Sequence, residues 1–216
     1  MAITITKPVV VVVEGPEDKA FFEGLAKHLN IDNVQVEAVE GVDKISLELE
    51  LLAKNSDFRS KAVSLAVVRD ADKDPTKAFN DVIEALQSAG FSEMPPEPLI
   101  STNDSPRITI MIMPGDNQPG SLETLCLAAF KDDSVMPCVE QHFVCLKETG
   151  LKLKDRVFPK AKVRVLLASK SADEFQKGDP IWWISLAFKK DWWPWDDPVF
   201  DGVKSFLKQV ASGIET

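Results

Sequence analysis

VVVVVEGPEDKAFF, the stretch from Val9 to Phe22, decides the fold. Its five consecutive valines are β-branched and bounded by Pro8 and Gly15, which is typical of a strand buried on both faces of a parallel sheet. Pro16 suits the first position of a helix, and the two acidic residues after it favour the positive helix start. The stretch therefore predicts a buried strand that places Glu14 at its end and turns directly into a helix.

The same alternation of strand and helix continues to about residue 131. Further strands are predicted at Val34–Val39, Ala62–Arg69 and Ile108–Met113, and helices at Asp43–Leu52, from Asp74 onward, and at Ser121–Phe130. Strands that alternate with helices require a parallel sheet with right-handed crossovers. We therefore expect an α/β fold of the Rossmann-like kind, in which helices flank a four-stranded parallel central sheet.

The pattern changes in the C-terminal third. Val135–Thr149 and Val199–Val210 have the apolar spacing of helices, whereas Ala161–Ala168 fits a strand or a helix equally well. We therefore divide the chain into an α/β domain, residues 1–131, and a mainly helical appendage packed on it, residues 132–216.

Five tryptophans lie between Trp182 and Trp195, in the segments IWWIS and DWWPWDD. Such a cluster is most simply the core of a small appendage. It could also stack the bases of a single nucleic acid strand or form an interface with a protein partner.

Composition limits the partners of this 216-residue chain. A formal net charge of −9 argues against non-specific wrapping of nucleic acid, because that affinity comes from neutralising phosphates. One basic segment, Lys152–Arg164, is compatible with a local nucleic acid contact or with a solvated helix face. No apolar run approaches the roughly 20 residues of a membrane helix, so we expect no membrane contact and a cytoplasmic protein.

The cysteines and histidines indicate which metals to expect. The three cysteines form no CxxC pair, so neither a disulfide framework nor a zinc site is expected. With only two histidines in the chain, oxygen ligands are the remaining route to a metal, and they favour a magnesium-like ion.

Carboxylates follow three of the predicted strands. In open parallel sheets, ligands bind outside the carboxyl ends of the strands, so these side chains should meet at one edge. The carboxylates are Glu14 after the first strand, Asp70, Asp72 and Asp74 after the third, and Asp116 and Glu123 after the fourth. Asp70 and Asp72 are two residues apart in an extended segment and can face one cation, which would relieve their repulsion. The alternative is that this DxD only caps the next helix.

These residues carry a family resemblance. VVVEGPEDKAFF followed by VVRDADKD resembles the signature of the Toprim superfamily, which has a glutamate-glycine after the first strand and a DxD after the third. Topoisomerases, bacterial primases and OLD-type nucleases share this signature. GSLE, from Gly120 to Glu123, is similar to an element of the OLD-like branch and of small stand-alone relatives of uncharacterised function. The resemblance covers about residues 7–130.

The resemblance implies a role for each matching residue. Glu14 matches the glutamate that acts as general acid or base, or as ligand of a second ion. Asp70 and Asp72 match the magnesium-binding pair, and Glu123 matches the additional ligand of the nuclease branch. The implied activity is a Mg²⁺- or Mn²⁺-dependent hydrolysis of phosphodiesters in DNA or RNA, with repair or phage defence as its setting. Asp74 and Asp116 are further candidates by proximity.

Absences in the sequence narrow the choice within that superfamily. The chain contains no tyrosine, so a covalent phosphotyrosine link of the topoisomerase kind is excluded. It contains no GxxxxGK[ST], so an ATPase that accompanies an OLD-like site would be a separate chain or another protein partner. Priming would normally need a further DNA-docking module, and none is visible in the sequence, so hydrolytic cleavage of a phosphodiester is the chemistry that remains.

Phosphate binding requires cations near the carboxylates. The candidates are Lys44, Arg69, Lys73, and Lys160 or Lys162 folding back from the C-terminal third, with Lys162 as a leaving-group contact. Taken singly, each is better explained as a solvated surface residue.

Two other functions compete with the nuclease. A binding or regulatory module would keep the fold without turnover. A phosphatase of the haloacid-dehalogenase type also uses a DxD, but that motif normally follows the first strand, whereas Asp70 follows the third.

Overall fold

A computed structural model describes residues 4–39, 41, 44–152, 154, 157–171, 184–189 and 192–212. Its centre is a four-stranded sheet formed by β1 (Val9–Val13), β2 (Val34–Ala38), β3 (Ser64–Asp70) and β4 (Arg107–Met113). All neighbouring strands are parallel and their order is β2-β1-β3-β4. Helices flank this sheet, so the predicted fold class is confirmed.

Nine α-helices are described in these residue ranges. They are α1 (Pro16–His28), α2 (Ile45–Lys54), α3 (Ser56–Lys61), α4 (Pro75–Ala89), α5 (Leu122–Ala128), α6 (Met136–Glu148), α7 (Val157–Lys170), α8 (Ile184–Lys189) and α9 (Asp201–Ala211). A 3₁₀ turn, Pro198–Phe200, precedes α9. The ambiguous segment 161–168 is helical, within α7, and α3 was not predicted. Within the described part of the chain, no helix is both long and apolar enough to span a bilayer.

The valines of β1 show why this strand is central. All five are fully buried, and alternate side chains point to opposite faces of the sheet. Val9, Val11 and Val13 enter one hydrophobic core, and Val10 and Val12 enter a second core on the other face. A run of valines without polar interruption is therefore what a strand covered on both sides requires.

The C-terminal helices cover the face of the sheet that carries α1. Phe21 lies with its ring centroid 5.1 Å from Phe188 and 5.4 Å from Trp195, and Phe22 lies 6.2 Å from Phe206. The helices after residue 131 thus share one hydrophobic core with β1 and α1. A division of the chain at that residue stays a prediction.

The described tryptophans belong to this core. Trp193 and Trp195 are 4% and 3% exposed, and Trp192 packs partly buried against the same cluster. Trp193 and Trp195 are therefore core residues as predicted, but of the core shared with β1 and α1 rather than of a separate small appendage. Trp182 and Trp183 lie outside the described residues.

Candidate functional site

The carboxyl ends of β1 and β3 bring two predicted site residues together. Glu14 follows β1 and Asp70 is the last residue of β3, and the two strands are paired in parallel. The Glu14 Oε1 atom accepts a hydrogen bond from the backbone N–H of Asp70 at 3.1 Å. Glu14 is therefore directed at the DxD segment, as the sheet-edge argument requires.

The start of α5 supplies the third carboxylate. The Asp70 Oδ1 atom accepts a hydrogen bond from the backbone N–H of Leu122 at 3.0 Å. Ser121 and Thr124 form a capping box, and the Ser121 hydroxyl also donates to Glu123 Oε2 at 2.7 Å. The side chain of Glu123 is only 3% exposed. The first turn of α5 thus binds the carboxylate of Asp70 through a backbone N–H and carries the buried carboxylate of Glu123 beside it.

The turn that carries Asp72 is tied to the turn that precedes α5. Asp72 and Gly120 exchange two backbone hydrogen bonds, of 2.9 and 2.8 Å, in an isolated antiparallel bridge. Gly120 has φ +141°, and a Cβ there would lie 2.8 Å from Thr124 Oγ1. Asp72 has φ 50° and an exposed side chain, whose charge acts on Glu14. Glycine at 120 therefore lets the two functional turns meet.

Sequence reasoning missed Asp18, in the first turn of α1. Burial, followed by the charges of Glu14 and Glu123, raises the pKa of Asp18 to about 7. Its place four residues after Glu14 was no sufficient signal, because periodic spacing predicts a shared face only within one helix or strand and these residues lie in different elements. Together Glu14, Asp18, Asp70 and Glu123 form what we call the carboxylate cluster.

Crowding of these acids perturbs their ionisation. Burial raises the pKa of Asp70 well above its usual value, and Asp18, Glu14 and Glu123 add to the effect. Burial also raises the pKa of Glu14, which the hydrogen bond from Asp70 and the charge of Arg69 partly offset. The cluster therefore holds more negative charge than its surroundings readily stabilise, and it can gain from a cation or a proton.

Two cations of α7 lie at the cluster or at its border. The Lys160 Nζ atom lies 3.0 Å from Glu123 Oε1 and 3.8 Å from Glu17 Oε2. An Arg164 Nη2 atom lies 3.9 Å from Glu17 Oε1. Burial lowers the pKa of Lys160, but Glu123 and Glu17 outweigh burial and leave that pKa above its usual value. Glu17, also missed by sequence reasoning, joins these cations to the border of the cluster.

Two further predicted carboxylates have other surroundings. Asp74 caps α4, and its side chain accepts a hydrogen bond from the Lys77 N–H at 2.9 Å. The capping alternative for the acidic segment thus applies to Asp74, while Asp70 points to the cluster. Asp116 is exposed in the turn after β4, with φ 52°.

The predicted phosphate-binding residues are dispersed. Arg69 bridges Asp81, at 2.9 Å from Oδ2, and Glu14, at 3.7 Å from Oε1. Lys44 and Lys73 are exposed, at the start of α2 and after β3 respectively. Lys162 lies away from the cluster, because its ammonium group is paired with Glu140 on α6. The cation that folds back onto the cluster is Lys160.

The chemistry of the cluster fits a hard cation. Its donors are all carboxylate oxygens, which Mg²⁺ and Mn²⁺ prefer. Burial, with the nearby carboxylates, raises the pKa of the Cys126 thiol well above its usual value, so this neighbour is not a thiolate ligand. As placed, however, no three Asp, Glu, His or Cys side chains in the described ranges surround a common metal position. Lys160 is the cation in contact with Glu123.

Comparison with known proteins gives one family and three structures. A family described as "Protein of unknown function (DUF3226)" matches residues 8–212. The C-terminal region of the Xanthomonas campestris pv. campestris OLD protein, phased with iodine, is 15% identical, with 97% of this chain and 87% of that chain covered and a TM-score of 0.38. The mercury-phased structure of the same region is 15% identical, with 97% of this chain and 87% of that chain covered and a TM-score of 0.37. The platinum-phased structure is 14% identical, with 96% and 84% covered and a TM-score of 0.37. No curated protein matches the chain.

Proposed function

We propose that this chain, which belongs to the DUF3226 family of proteins of unknown function, is a magnesium-dependent phosphodiester hydrolase of the Toprim type that cleaves DNA or RNA. The observation that carries the proposal is the meeting of Glu14, Asp70 and Glu123, from three distant segments, in one buried acidic cluster. Folding has to overcome the mutual repulsion of these carboxylates, and a divalent cation would relieve it.

The proposed ligands of such a cation are carboxylates of the strand ends and of the start of α5. Asp70, Asp72 and Glu123 would hold Mg²⁺ or Mn²⁺, which when bound stabilises negative charge on phosphodiester oxygens and lowers the pKa of water. Asp70 and Glu14 are already oriented by backbone hydrogen bonds. Asp72 is brought to the same edge by its bridge to Gly120.

Glu14 is the residue we assign to proton transfer. In the hydrolysis, the oxygen of a water molecule forms a bond to phosphorus while the bond from phosphorus to the leaving oxygen breaks. Glu14 takes the proton of the attacking water, and the leaving oxygen receives a proton from solvent. Glu14 suits this role by position, because the hydrogen bond from the backbone N–H of Asp70 directs its carboxylate to the edge where the cation would lie.

Lys160 has a second assignment in this proposal. Its ammonium lies 3.0 Å from Glu123, so a cation bound to Glu123 would free it for an oxygen of the scissile phosphate. The ion pair between Lys160 and Glu123 would thereby be replaced by two contacts, one from Glu123 to the metal and one from Lys160 to the substrate phosphate.

One observation favours a second candidate function, a non-catalytic binding or regulatory module. Because Lys160 already neutralises Glu123 and also contacts Glu17, the chain provides part of the compensating charge by itself. In that case the cluster would be a structural ion-pair network.

A cytoplasmic setting, a role in repair or phage defence, and a separate ATPase or other protein partner accompany the nuclease proposal, and they come from the sequence.

Cleavage assays distinguish the two candidates. End-labelled DNA and RNA are incubated with the protein in Mg²⁺, in Mn²⁺ and in EDTA, and products are resolved by size. We expect metal-dependent cleavage that Glu14→Gln and Asp70→Asn each abolish. Glu84→Gln is the matched control, since it removes one exposed carboxylate from α4. Metal binding by calorimetry without any cleavage would favour the binding module.

A further inference from the structure

The two edges of the central sheet differ in their backbone hydrogen bonds. At the β4 edge, the Leu99 N–H donates to the carbonyl oxygen of Ile110 at 2.8 Å. The Thr102 N–H donates to that of Ile108 at 3.0 Å, so a segment of the chain covers this edge. At the opposite edge, formed by β2, no described residue forms a backbone hydrogen bond with the outer side of the strand.

The register of β1 and β2 identifies the backbone groups on that outer side. The Val39 N–H donates to the carbonyl oxygen of Val13 at 3.0 Å, and the strands are paired in parallel, so the odd-numbered residues of β2 bond to β1. Backbone groups of successive strand residues point to opposite sides. The N–H and C=O groups of Val34, Val36 and Ala38 therefore point outward from the edge of the sheet.

A groove of about 600 Å³ runs along this edge. Residues of α1, such as Ala26 and Lys27, form one wall, and Thr6 and Lys7 lie on the other side of the strand. Residues 34–37 of β2 lie between these walls. A strand edge beside a helix is an arrangement to which an extended chain can add as a further strand.

The charges that line this groove are balanced, in contrast to the charge of the chain as a whole. Three lysines and three acidic residues line the groove, whereas the chain has a formal net charge of −9. Two copies of such a chain repel each other overall, so contact between them is least opposed where the local charge is close to zero. The charged residues of the groove are Lys7, Lys19, Lys27, Glu23, Asp32 and Glu37.

We propose that β2 pairs with β2 of a second copy of this chain, antiparallel and about a two-fold axis at Val36. The two four-stranded sheets then form one continuous sheet. Val36 exchanges hydrogen bonds with the partner's Val36, and Val34 exchanges them with the partner's Ala38, so that every outward backbone group of the strand is paired. This inference is independent of the proposed function.

The side chains of β2 are compatible with this symmetry. Gln35 lies opposite the partner's Glu37, and Gln35 Nε2 already donates to Glu37 Oε1 within one chain, at 2.7 Å. Val36 meets the partner's Val36 on the face that carries α1, so no like charges lie directly opposite each other. A lysine at a strand edge, such as Lys19 at 3.4 Å from Glu37, can instead keep other strands away. The oligomeric state distinguishes these two roles.

Sedimentation velocity from about 1 to 100 µM, a range that covers micromolar affinities, tests the pairing. We expect a dimer whose dissociation constant rises about tenfold or more in Ala38→Pro, because proline removes one outward N–H from each copy. The substitution leaves the bonds between β1 and β2 in place, since the missing N–H faces away from β1. Ala38→Ser keeps this N–H and should dimerise like the wild type, and circular dichroism confirms that both variants are folded.

Cross-linking tests the register without proline. In a background with Cys138→Ser and Cys145→Ser, which removes the exposed thiols, a Gln35→Cys chain is mixed with a Glu37→Cys chain. The proposed register places these two positions in a non-hydrogen-bonded pair, with Cα atoms about 4.5 Å apart, within the range of a disulfide. We expect a cross-linked dimer in the oxidised mixture and much less of it with either variant alone.

Two results overturn the inference. One is a wild-type chain that stays monomeric over the whole concentration range, which would leave this edge to an extended segment of another protein or to protection by Lys19. The other is a dimer that Ala38→Pro does not weaken and that the mixed cysteine variants do not cross-link, since the copies would then meet at another surface.

Discussion

The Glu14 carboxylate accepts a hydrogen bond from the backbone N–H of Asp70, at 3.1 Å, and so joins the ends of β1 and β3. The Asp70 carboxylate in turn accepts from the Leu122 N–H at 3.0 Å, which adds the start of α5. These two carboxylates thereby connect three segments that are far apart in the sequence, namely the end of β1, the end of β3 and the start of α5. A site built this way is organised before a ligand arrives, because each functional side chain is held by the backbone of the next segment.

Two substitutions of Glu14 should separate the role of its negative charge from the role of its hydrogen bond with the backbone of Asp70. In Glu14→Gln, an amide oxygen can still accept from Asp70 and one charge of the crowded cluster is removed, so the free energy of unfolding should not fall, whereas cleavage should fall at least about 100-fold. In Glu14→Ala the acceptor is lost, and stability should also fall by about 1 kcal/mol. Urea unfolding and cleavage rates of both variants provide the measurements. Retained cleavage in Glu14→Gln would remove Glu14 from proton transfer.

Asp18 should make the metal-free protein less stable as pH rises. Burial raises the pKa of Asp18 to about 7 in the folded protein, whereas in the unfolded chain it stays near the ordinary value of 3.8, so between these values the folded state holds the proton more tightly. The free energy of unfolding therefore falls as pH increases from about 4 to 7, by at most about 4 kcal/mol from this group. Urea unfolding in EDTA across this range measures the effect.

Asp18→Asn provides the control for that pH dependence. An amide keeps the size of the side chain but does not ionise, so the variant should lose stability less steeply than the wild type over the same range. Asp57→Asn, a carboxylate on α3 paired with Lys61 at 3.1 Å, should retain the wild-type slope. Equal slopes in all three proteins would show that Asp18 does not carry the effect.

Much of the sheet edge could be predicted because its causes are local. A valine run followed by Glu14 and Gly15 fixes a buried strand and its end, and parallel order then fixes which strand ends meet. Asp18 was missed because acidic residues in a first helical turn already have an ordinary explanation in the helix dipole. Only the path of α1 over the sheet edge brings its carboxylate to Asp70.

The choice between Lys160 and Lys162 shows a different limit. The periodicity of Ala161–Ala168 fitted strand or helix, so the directions of the neighbouring lysines were undetermined. Once α7 is a helix with Val163 and its apolar neighbours buried, the two lysines lie on opposite sides of the buried stripe. The short helix α3 was missed for a related reason, because six residues with one buried side chain, Phe58, show no period.

Trp195 should stabilise the fold, since it is buried in the core. Its ring packs against Phe21, at 5.4 Å, and Phe200, at 5.6 Å between centroids. Trp195→Ala should lower the free energy of unfolding by about 3–5 kcal/mol, the usual cost of removing a large buried ring. Trp192→Ala should cost clearly less, because that ring is only partly buried. Equal losses in urea unfolding would contradict this assignment.

A side chain at Gly120 should destabilise the fold, for two separable reasons. Gly120→Ala combines an unfavourable φ of +141° with a contact of 2.8 Å to Thr124 Oγ1. We expect a loss of about 1–3 kcal/mol in the free energy of unfolding, together with weaker metal binding through the displaced Asp72. Gly115→Ala is the matched control, because Gly115 has φ +113° but nothing within 4 Å of an added Cβ. If the two variants lose the same stability, the contact with Thr124 has no cost.

Lys160 and a divalent cation should each be able to stabilise the fold by neutralising the carboxylate of Glu123. Lys160→Met leaves the carboxylate of Glu123, 3% exposed, without its ion-pair partner at 3.0 Å. In EDTA the free energy of unfolding should fall by about 1–3 kcal/mol, less than for a fully buried pair because the lysine side chain is 46% exposed. Millimolar Mg²⁺ should then raise the urea midpoint of this variant more than that of the wild type, since ligand binding to the folded state alone stabilises it.

The double variant Lys160→Met with Glu123→Gln decides whether Lys160→Met loses stability because the charge of Glu123 is left uncompensated. With the carboxylate replaced by an amide, no uncompensated charge remains, so stability in EDTA should recover toward that of the wild type. The extra response to Mg²⁺ should disappear as well, because one ligand is gone. A double variant as unstable as Lys160→Met would mean that the lysine acts through packing of its aliphatic stem. A Mg²⁺ response equal in all three proteins would mean that the ion binds away from Glu123.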